Sequence, residues 1–337
     1  MTEKKKHHFI AQTYLRGFCR EDKKVCVYSK DKPRQHWWAA PDSVAFEKYY
    51  YSQPRPDGGQ DNNQLEDFFC SIETGWPELV SKIEHRERCP GGLDKLLLFA
   101  LMHRVRVPTA RDAVEKMLAE SVRMTRRHLN DLGELPPPPP GLTFEYLDQQ
   151  LVVTIDPHKS IHAMVDLAKG MNKIIQAIGF QIIENKTNEG FITSDNPVVY
   201  FDPTVPPKFM QPYNIGRNRM DIEFMFPITP RLMLWGHSQL KPRSGHHTAS
   251  YQDLTDKTFV KRANVCAARF AHRMIFSRES RHQSLVDKYA SLSPVISVRH
   301  LISKRGRGIV AQSVFGKREP KPKWNRRDRE ENAPSVE

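Results

Sequence analysis

The chain is short of cysteine, of long apolar runs and of recognisable catalytic signatures, and each shortage removes a class of protein. Five cysteines in 337 residues (Cys19, Cys26, Cys70, Cys89 and Cys266) are odd in number and irregularly spaced. They form neither a disulfide framework nor a paired zinc motif, which agrees with a reducing compartment. Cys19 and Cys26 lack a second pair, so a zinc ribbon is disfavoured. The longest apolar run, Leu96 to Met102, is far too short to span a membrane, and the start lacks the apolar core of a secretory signal. A cytoplasmic location is therefore expected. His158 and His162 have the spacing of zinc ligands on a helix, but Lys159 stands where a metalloprotease would carry its glutamate base. Ser194 has no nucleophile-elbow glycines around it, which leaves a hydrolase triad with little support.

What the chain does have is positive charge. Its net charge of +13 favours polyanionic partners, nucleic acid first and acidic membrane surfaces second. Part of that charge lies in the C-terminal segment, so a generally solvated basic protein stays open as the alternative. Hydrophobic content of 39% with 27% charged residues fits a globular protein with a polar tail, long enough to bury a substantial core.

Chemically useful side chains concentrate in the opening, His7-His8-Phe9-Ile10-Ala11-Gln12-Thr13-Tyr14-Leu15-Arg16-Gly17-Phe18. The pattern predicts an extended lead-in, a short helix from about Ala11, and a stop at Gly17 in the left-handed conformation. Gln12 and Arg16 would share one helix face, with His8 near the N-terminal amides. The plainer alternative is a pair of exposed histidines trailing Lys4 to Lys6.

Further along, Val25 to Tyr28 reads as a strand and Pro54 to Asn63 as a polar loop. Trp37-Trp38 and Tyr49-Tyr50-Tyr51 suit core packing or a strand edge better than base stacking. Gln64 to Arg88 has helical apolar spacing, with Pro77 predicting a kink near Thr74-Gly75. Glu66 and Glu73 share a face of that helix, beside its apolar stripe, where ion pairing competes with metal or acid/base work. Leu93 to Val107 is expected to be a helix buried all round, carrying His103, Arg104 and Arg106 at its end. Those cations either complement the helix dipole or hold a phosphate or carboxylate.

Ala110 to Leu132 continues as a basic helix, followed by a proline-rich linker near 133–142 with prolines at 136–140. His158 to Ile178 is the next helix. Strands are expected at Phe180 to Ile183, on either side of Ser194-Asp195-Asn196-Pro197, and in a hairpin around Thr229-Pro230-Arg231. The Asp195 turn either presents a site at a sheet edge or caps backbone amides. Leu254 to Ala271 is the last helix and Arg273 to Phe276 a closing strand. From Arg278 the chain is expected to be less ordered, with one element at Ile296 to Ile302, and 317–337 is expected to be a disordered charged tail.

The opening resembles that of the uncharacterised domain-of-unknown-function family numbered 4238, whose members begin on His-His or His-Tyr, then Pro-Gln, then Tyr-Leu-Arg and Phe. The resemblance recurs at Leu65-Glu66, Glu73, Arg106-Val107-Pro108, Phe191 to Val198, and Asn264 to Phe276. Ala11 departs from the family's usual proline. An amide at the first helical position has no partner to lose, so the exchange is expected to cost little. The resemblance implies positions and no particular chemistry.

The expected fold is α+β, a helical N-terminal half packed on a mostly antiparallel sheet formed largely by the C-terminal half. One integrated domain over 1–316 is expected. Two function classes follow. One is a hydrolase of phosphodiester or nucleotide bonds, with His8, Gln12, Glu66, Glu73, Arg106 and Asp195 as catalytic candidates. His7, Arg16, His103 and Asn196 are then substrate-binding candidates, and a divalent metal is an open candidate as cofactor. The other is a non-catalytic nucleic-acid-binding or interaction protein whose polar residues knit helices to sheet.

Overall fold

The computed structural model describes residues 3–215, 221–240, 249–303, 306–322 and 324. It has the expected α+β character, with the helices between residues 64 and 177 preceding most of the sheet. The largest sheet has five strands in the order Ser250–Leu254, Gly179–Asn185, Leu232–His237, Glu223–Pro227, Val199–Phe201. All neighbours are antiparallel except the first pair. Alternate residues of a strand face opposite sides. Phe224 and Phe226 accordingly enter the core shared with the N-terminal helices, while Met225 enters a second core. That second core is closed by Val260, Ala263, Cys266 and Phe270 of the helix Lys257–Phe270.

A second, four-stranded sheet runs His36–Ala39, Val25–Ser29, Met274–Ser277, Thr193–Ser194. Its middle pair joins the two ends of the family-like sequence, with Tyr28 opposite Ile275. The main core therefore draws residues from Phe9 to Phe276. Sheet formation is thus shared between the two halves more than the sequence pattern suggested.

Local chemistry explains most boundaries. The first long helical run is broken into Gln64–Glu73 and Trp76–Glu84, with Pro77 in the first turn of the second, where a missing N–H costs nothing. The next helix spans Gly92–Arg106 and ends before Pro108, which itself opens the helix Pro108–Asp131. Leu98 is exposed, so the Gly92–Arg106 helix is not covered on every side. The run expected at His158 to Ile178 is two helices, Pro157–His162 and Met164–Ala177, separated only by Ala163.

Three expectations change. Gly17 ends the helix Gln12–Arg16 at φ −62°, not in the left-handed region. A Cβ there would sit 3.3 Å from the Tyr14 carbonyl oxygen and 3.5 Å from that of Ile228, a close fit. The Ala11 amide does have a partner, His103. Beyond Arg278 the chain continues as the helix Gln283–Lys288 and a long hairpin, Ser293–Ser303 with Gly306–Gly316. Of the charged segment after Gly316, residues 317–322 and 324 are described. Arg318 reaches Asp31 and the His272 carbonyl, and Lys321 reaches Asp112 and Glu115. The remainder of that segment lies outside the described residues.

Candidate functional site

The opening strand Lys6–His8 pairs with Phe46–Lys48 and feeds the helix Gln12–Arg16 into the protein's centre. Five residues cannot hold a helix in water, so tertiary packing must hold this one. Tyr14 and Leu15 are fully buried. The Tyr14 ring stacks on Phe226 at 5.3 Å; its hydroxyl donates to the Pro227 carbonyl and meets Thr193 Oγ1, both at 2.6 Å. This anchoring places His8 beside Glu66 of the Gln64–Glu73 helix and near Arg106 at the end of the Gly92–Arg106 helix.

Both histidines are buried, which removes the exposed reading. His7 stacks on Tyr51 at 5.7 Å, its Nδ1 accepting the Tyr51 amide at 2.8 Å and its Nε2 facing the Lys4 carbonyl at 3.0 Å. His8 lies with Nε2 3.4 Å from the Asp42 carbonyl and Nδ1 3.4 Å from the Gln12 amide nitrogen. A carbonyl can only accept and an amide NH2 can only donate, so Nε2 carries the proton and Nδ1 the lone pair. Burial lowers the pKa of both rings; the Arg106 charge adds to the shift at His8.

Arg106 is the hub. Its side chain is 1% exposed, and Nη1 donates to Glu73 Oε1 at 2.6 Å while Nη2 contacts His103 Nε2 at 3.0 Å. The His103 ring is fully engaged: Nδ1 faces the Phe99 carbonyl at 2.9 Å, and Nε2 accepts from the Ala11 amide at 3.1 Å as well as from Arg106. Burial pushes His103 well below its ordinary pKa, and Arg106 adds to this, so a neutral ring receives both donors. Glu66 sits beside Arg106, Glu73 and the His8 backbone amide. Burial pushes its carboxyl up to about 7, with Arg106 opposing. Among the described residues, Glu66 Oε2 and Arg106 Nε are buried without a hydrogen-bond partner.

Thus His8, Gln12, Glu66, Glu73, His103 and Arg106 form one contiguous group from three segments, with His7 on its flank. Arg16 is exposed in the last turn of its helix. Asp195 and Asn196 have other partners. The Asp195 carboxylate accepts three consecutive backbone amides, His272 and Arg273 at 2.7 Å and Met274 at 2.9 Å. Asn196 Nδ2 donates to the Phe270 carbonyl at 2.7 Å and its amide to Ser194 Oγ at 3.2 Å. Together they fasten the end of the Lys257–Phe270 helix to the four-stranded sheet.

Lys30 escaped the sequence reading. It is 3% exposed, and its ammonium donates to the carbonyls of Ala268 and Ala271 at 2.9 Å and to that of Leu292. A cation there meets carbonyls that the helix end leaves open. Burial pulls its pKa down to about 7, with Asp195 opposing. Nothing in the Lys30-Asp31-Lys32-Pro33 turn distinguishes this lysine from a solvated one.

Among the described residues, no group of three or more His, Cys, Asp and Glu side chains is arranged to hold a metal. No helix among them is long and apolar enough to cross a membrane. The chain belongs to the family described as "Protein of unknown function (DUF4238)", which matches residues 6–281. That range takes in both the His8–Arg106 group and the Asp195 latch, and ends before the long hairpin. No curated protein and no solved structure matches the chain.

Proposed function

We propose that the protein is a hydrolase of phosphodiester or nucleotide substrates, with His8 and Glu66 as its acid–base pair. The observation that carries this reading is the buried, unpartnered Oε2 of Glu66 on a carboxyl pushed up to about 7, next to Arg106 and the His8 backbone. A carboxyl near 7 is poised to give a proton at neutral pH, and perturbed groups of this kind concentrate at functional sites. In the reaction, a water that displaces the Gln12 amide from His8 Nδ1 gives its proton to that nitrogen, the water oxygen attacks phosphorus, and the phosphorus–oxygen bond to the leaving group breaks. Glu66 protonates the departing oxygen. Proton exchange with solvent then resets both groups. Arg106, fixed by Glu73 and His103, supplies positive charge; Gln12 keeps Nδ1 as the lone-pair nitrogen. Asp195 acts at a distance in this reading, as a positioning residue. The net charge of +13 suits a polyanionic substrate.

A second reading rests on a specific observation as well. Arg106 is buried with both terminal nitrogens engaged, and Asp195 is saturated by backbone amides. The same residues then serve as a lattice inside a non-catalytic nucleic-acid-binding or interaction protein. Incubating the full chain with single- and double-stranded DNA and RNA and with nucleotides, with and without magnesium, manganese and zinc, separates the two. The hydrolase reading expects cleavage that His8→Ala and Glu66→Gln each reduce by about 10²–10⁴. Salt-sensitive binding should survive both changes, since neither removes much positive charge. Absence of cleavage with every substrate, together with loss of thermal stability in both variants, refutes the hydrolase.

A further inference from the structure

The connection between the helices Pro108–Asp131 and Phe144–Gln150 carries five consecutive prolines, Pro136 to Pro140. Proline has a fixed φ and no N–H, and any residue before a proline is pushed out of the helical region. Leu135 and the first four prolines each precede a proline, so the run extends as a polyproline II rod. Its length is about 15 Å at the polyproline II rise.

Both ends of the rod are fixed. The first helix closes at Gly133, φ +72°, whose amide donates to the Asn130 carbonyl at 3.0 Å while the Glu134 amide donates to that of Leu129 at 3.0 Å. The far end turns through Pro140 and Gly141, φ +82°, as the Leu142 amide donates to the Pro139 carbonyl at 3.1 Å. Asp148 accepts Arg127 Nε at 2.9 Å and pairs with Arg126, which ties the two helices to each other directly. Thr143 caps the second by accepting the Tyr146 amide at 3.2 Å. With the helices so joined, a stiff spacer has nothing to hold apart, and an ordinary helix–helix connection needs only about 2–8 residues.

Exposure along the rod follows its threefold repeat. Leu135 and Pro138 are half-buried, whereas Pro136, Pro137, Pro139 and Pro140 are exposed. A polyproline II helix has three residues per turn, so one row faces the protein and two rows face solvent. Leu132, Leu142 and Tyr146, which flank the run in the chain, are exposed as well. Two apolar rows on a rod that is already stiff suit a groove lined with aromatic side chains, because little entropy is lost on docking.

The charge beside the rod differs from that of the whole chain. Between Arg127 and Asp148 the acidic residues are Asp131, Glu134 and Glu145, with no lysine or arginine, although the chain carries +13. Such a segment repels a polyanion and attracts a surface rimmed by cations.

We infer that the Pro136–Pro140 rod is a docking segment displayed for a protein domain with an aromatic-lined, basic-rimmed groove of the kind that reads polyproline. It shares no residue with the His8–Arg106 group and does not depend on the cleavage reading.

The test titrates the full chain against purified EVH1, WW and SH3 domains, all of which read polyproline II segments, by calorimetry. Saturable one-to-one binding by at least one domain is expected. The paired variants Pro136→Ala with Pro139→Ala, and Pro137→Ala with Pro140→Ala, each strip one outward row. Each pair should weaken binding about tenfold or more, since it loses buried ring carbons and pre-set backbone. Pro138→Ala, on the inward row, should bind like the wild type. All three variants should melt with the wild type, because none of these prolines belongs to a hydrophobic core. Glu134→Lys should weaken binding in low salt and less so in high salt; stronger binding instead overturns the basic rim. Failure of every domain to bind overturns the inference, as does binding that survives both paired variants. Self-association of the chain that Leu132→Ser and Tyr146→Ser abolish, but both paired variants keep, overturns it too, since a second copy then covers this face.

Discussion

Replacing Glu66 with glutamine keeps the shape of the side chain and removes the charge that burial opposes. In the unfolded chain this carboxyl titrates near 4.5, and in the folded protein near 7. Below 4.5 it is protonated in both states and contributes no difference. Between 4.5 and 7 the folded state holds the proton more tightly, so stability falls as pH rises, and above 7 the full penalty persists. At 1.36 kcal/mol per pKa unit the penalty is at most about 3 kcal/mol. Glu66→Gln should therefore match the wild type within about 1 kcal/mol at pH 4.5 and exceed it by up to about 3 kcal/mol at pH 8.5. Urea denaturation at half-unit pH steps measures this directly, provided both proteins unfold with the same dependence on urea. A variant whose destabilisation grows as pH rises would refute the argument, since it would mean that the ionised carboxylate is held by its neighbours. The same variant assayed for cleavage links stability to activity: a gain of stability with a loss of turnover is the pattern of a strained functional group.

The latch at Asp195 gives a second expectation. Asp195→Ala leaves three backbone amides, one of them buried, without that acceptor and should cost about 2–4 kcal/mol, seen as a lower urea midpoint; a neutral variant would contradict the bonding described. Arg106→Met strands Glu73 and removes one donor from His103, for a loss of about 3 kcal/mol, measured the same way. Ala11→Pro deletes the amide that donates to His103 while leaving the Arg106 contact, so a loss of only about 1 kcal/mol is expected. Truncation after Gly316 removes the Arg318 and Lys321 contacts and should lower stability by roughly 1–3 kcal/mol with unfolding still cooperative; loss of cooperativity would show a deeper role for the segment.

Short-range chemistry was readable in the sequence. Pro77 and Pro108 mark helix boundaries to within a residue or two, and the apolar spacing of Leu65, Phe69, Trp76, Leu79 and Ile83 marks the inward face of the Gln64–Glu73 and Trp76–Glu84 helices. Pairing across long separations was not. Val25–Ser29 lies beside Met274–Ser277 because their side chains fit a shared core, a fact that neither strand carries by itself. The polar group around Arg106 was partly legible, since charged residues at the margin of an apolar stripe must find partners. Which partner each takes depended on the fold: Glu73 meets Arg106, whereas Asp195 spends its carboxylate on amides that any sequence would present. Lys30 was invisible for the same reason, because its acceptors are main-chain carbonyls.

The helix Gln12–Arg16 also sets an order of events during synthesis. Tyr14 finds its hydrogen-bond acceptor at Pro227, 213 residues later in the chain. A ribosome adding about 5–20 residues per second needs roughly 10–40 s to make that stretch. Throughout that interval Tyr14, Leu15 and Phe18 have no sheet to cover them, and His103 is made before the strand that stacks over its neighbours. This early segment is therefore among the last to be enclosed. Nascent chains should expose this apolar opening until the Glu223–Pro227 strand has left the exit tunnel.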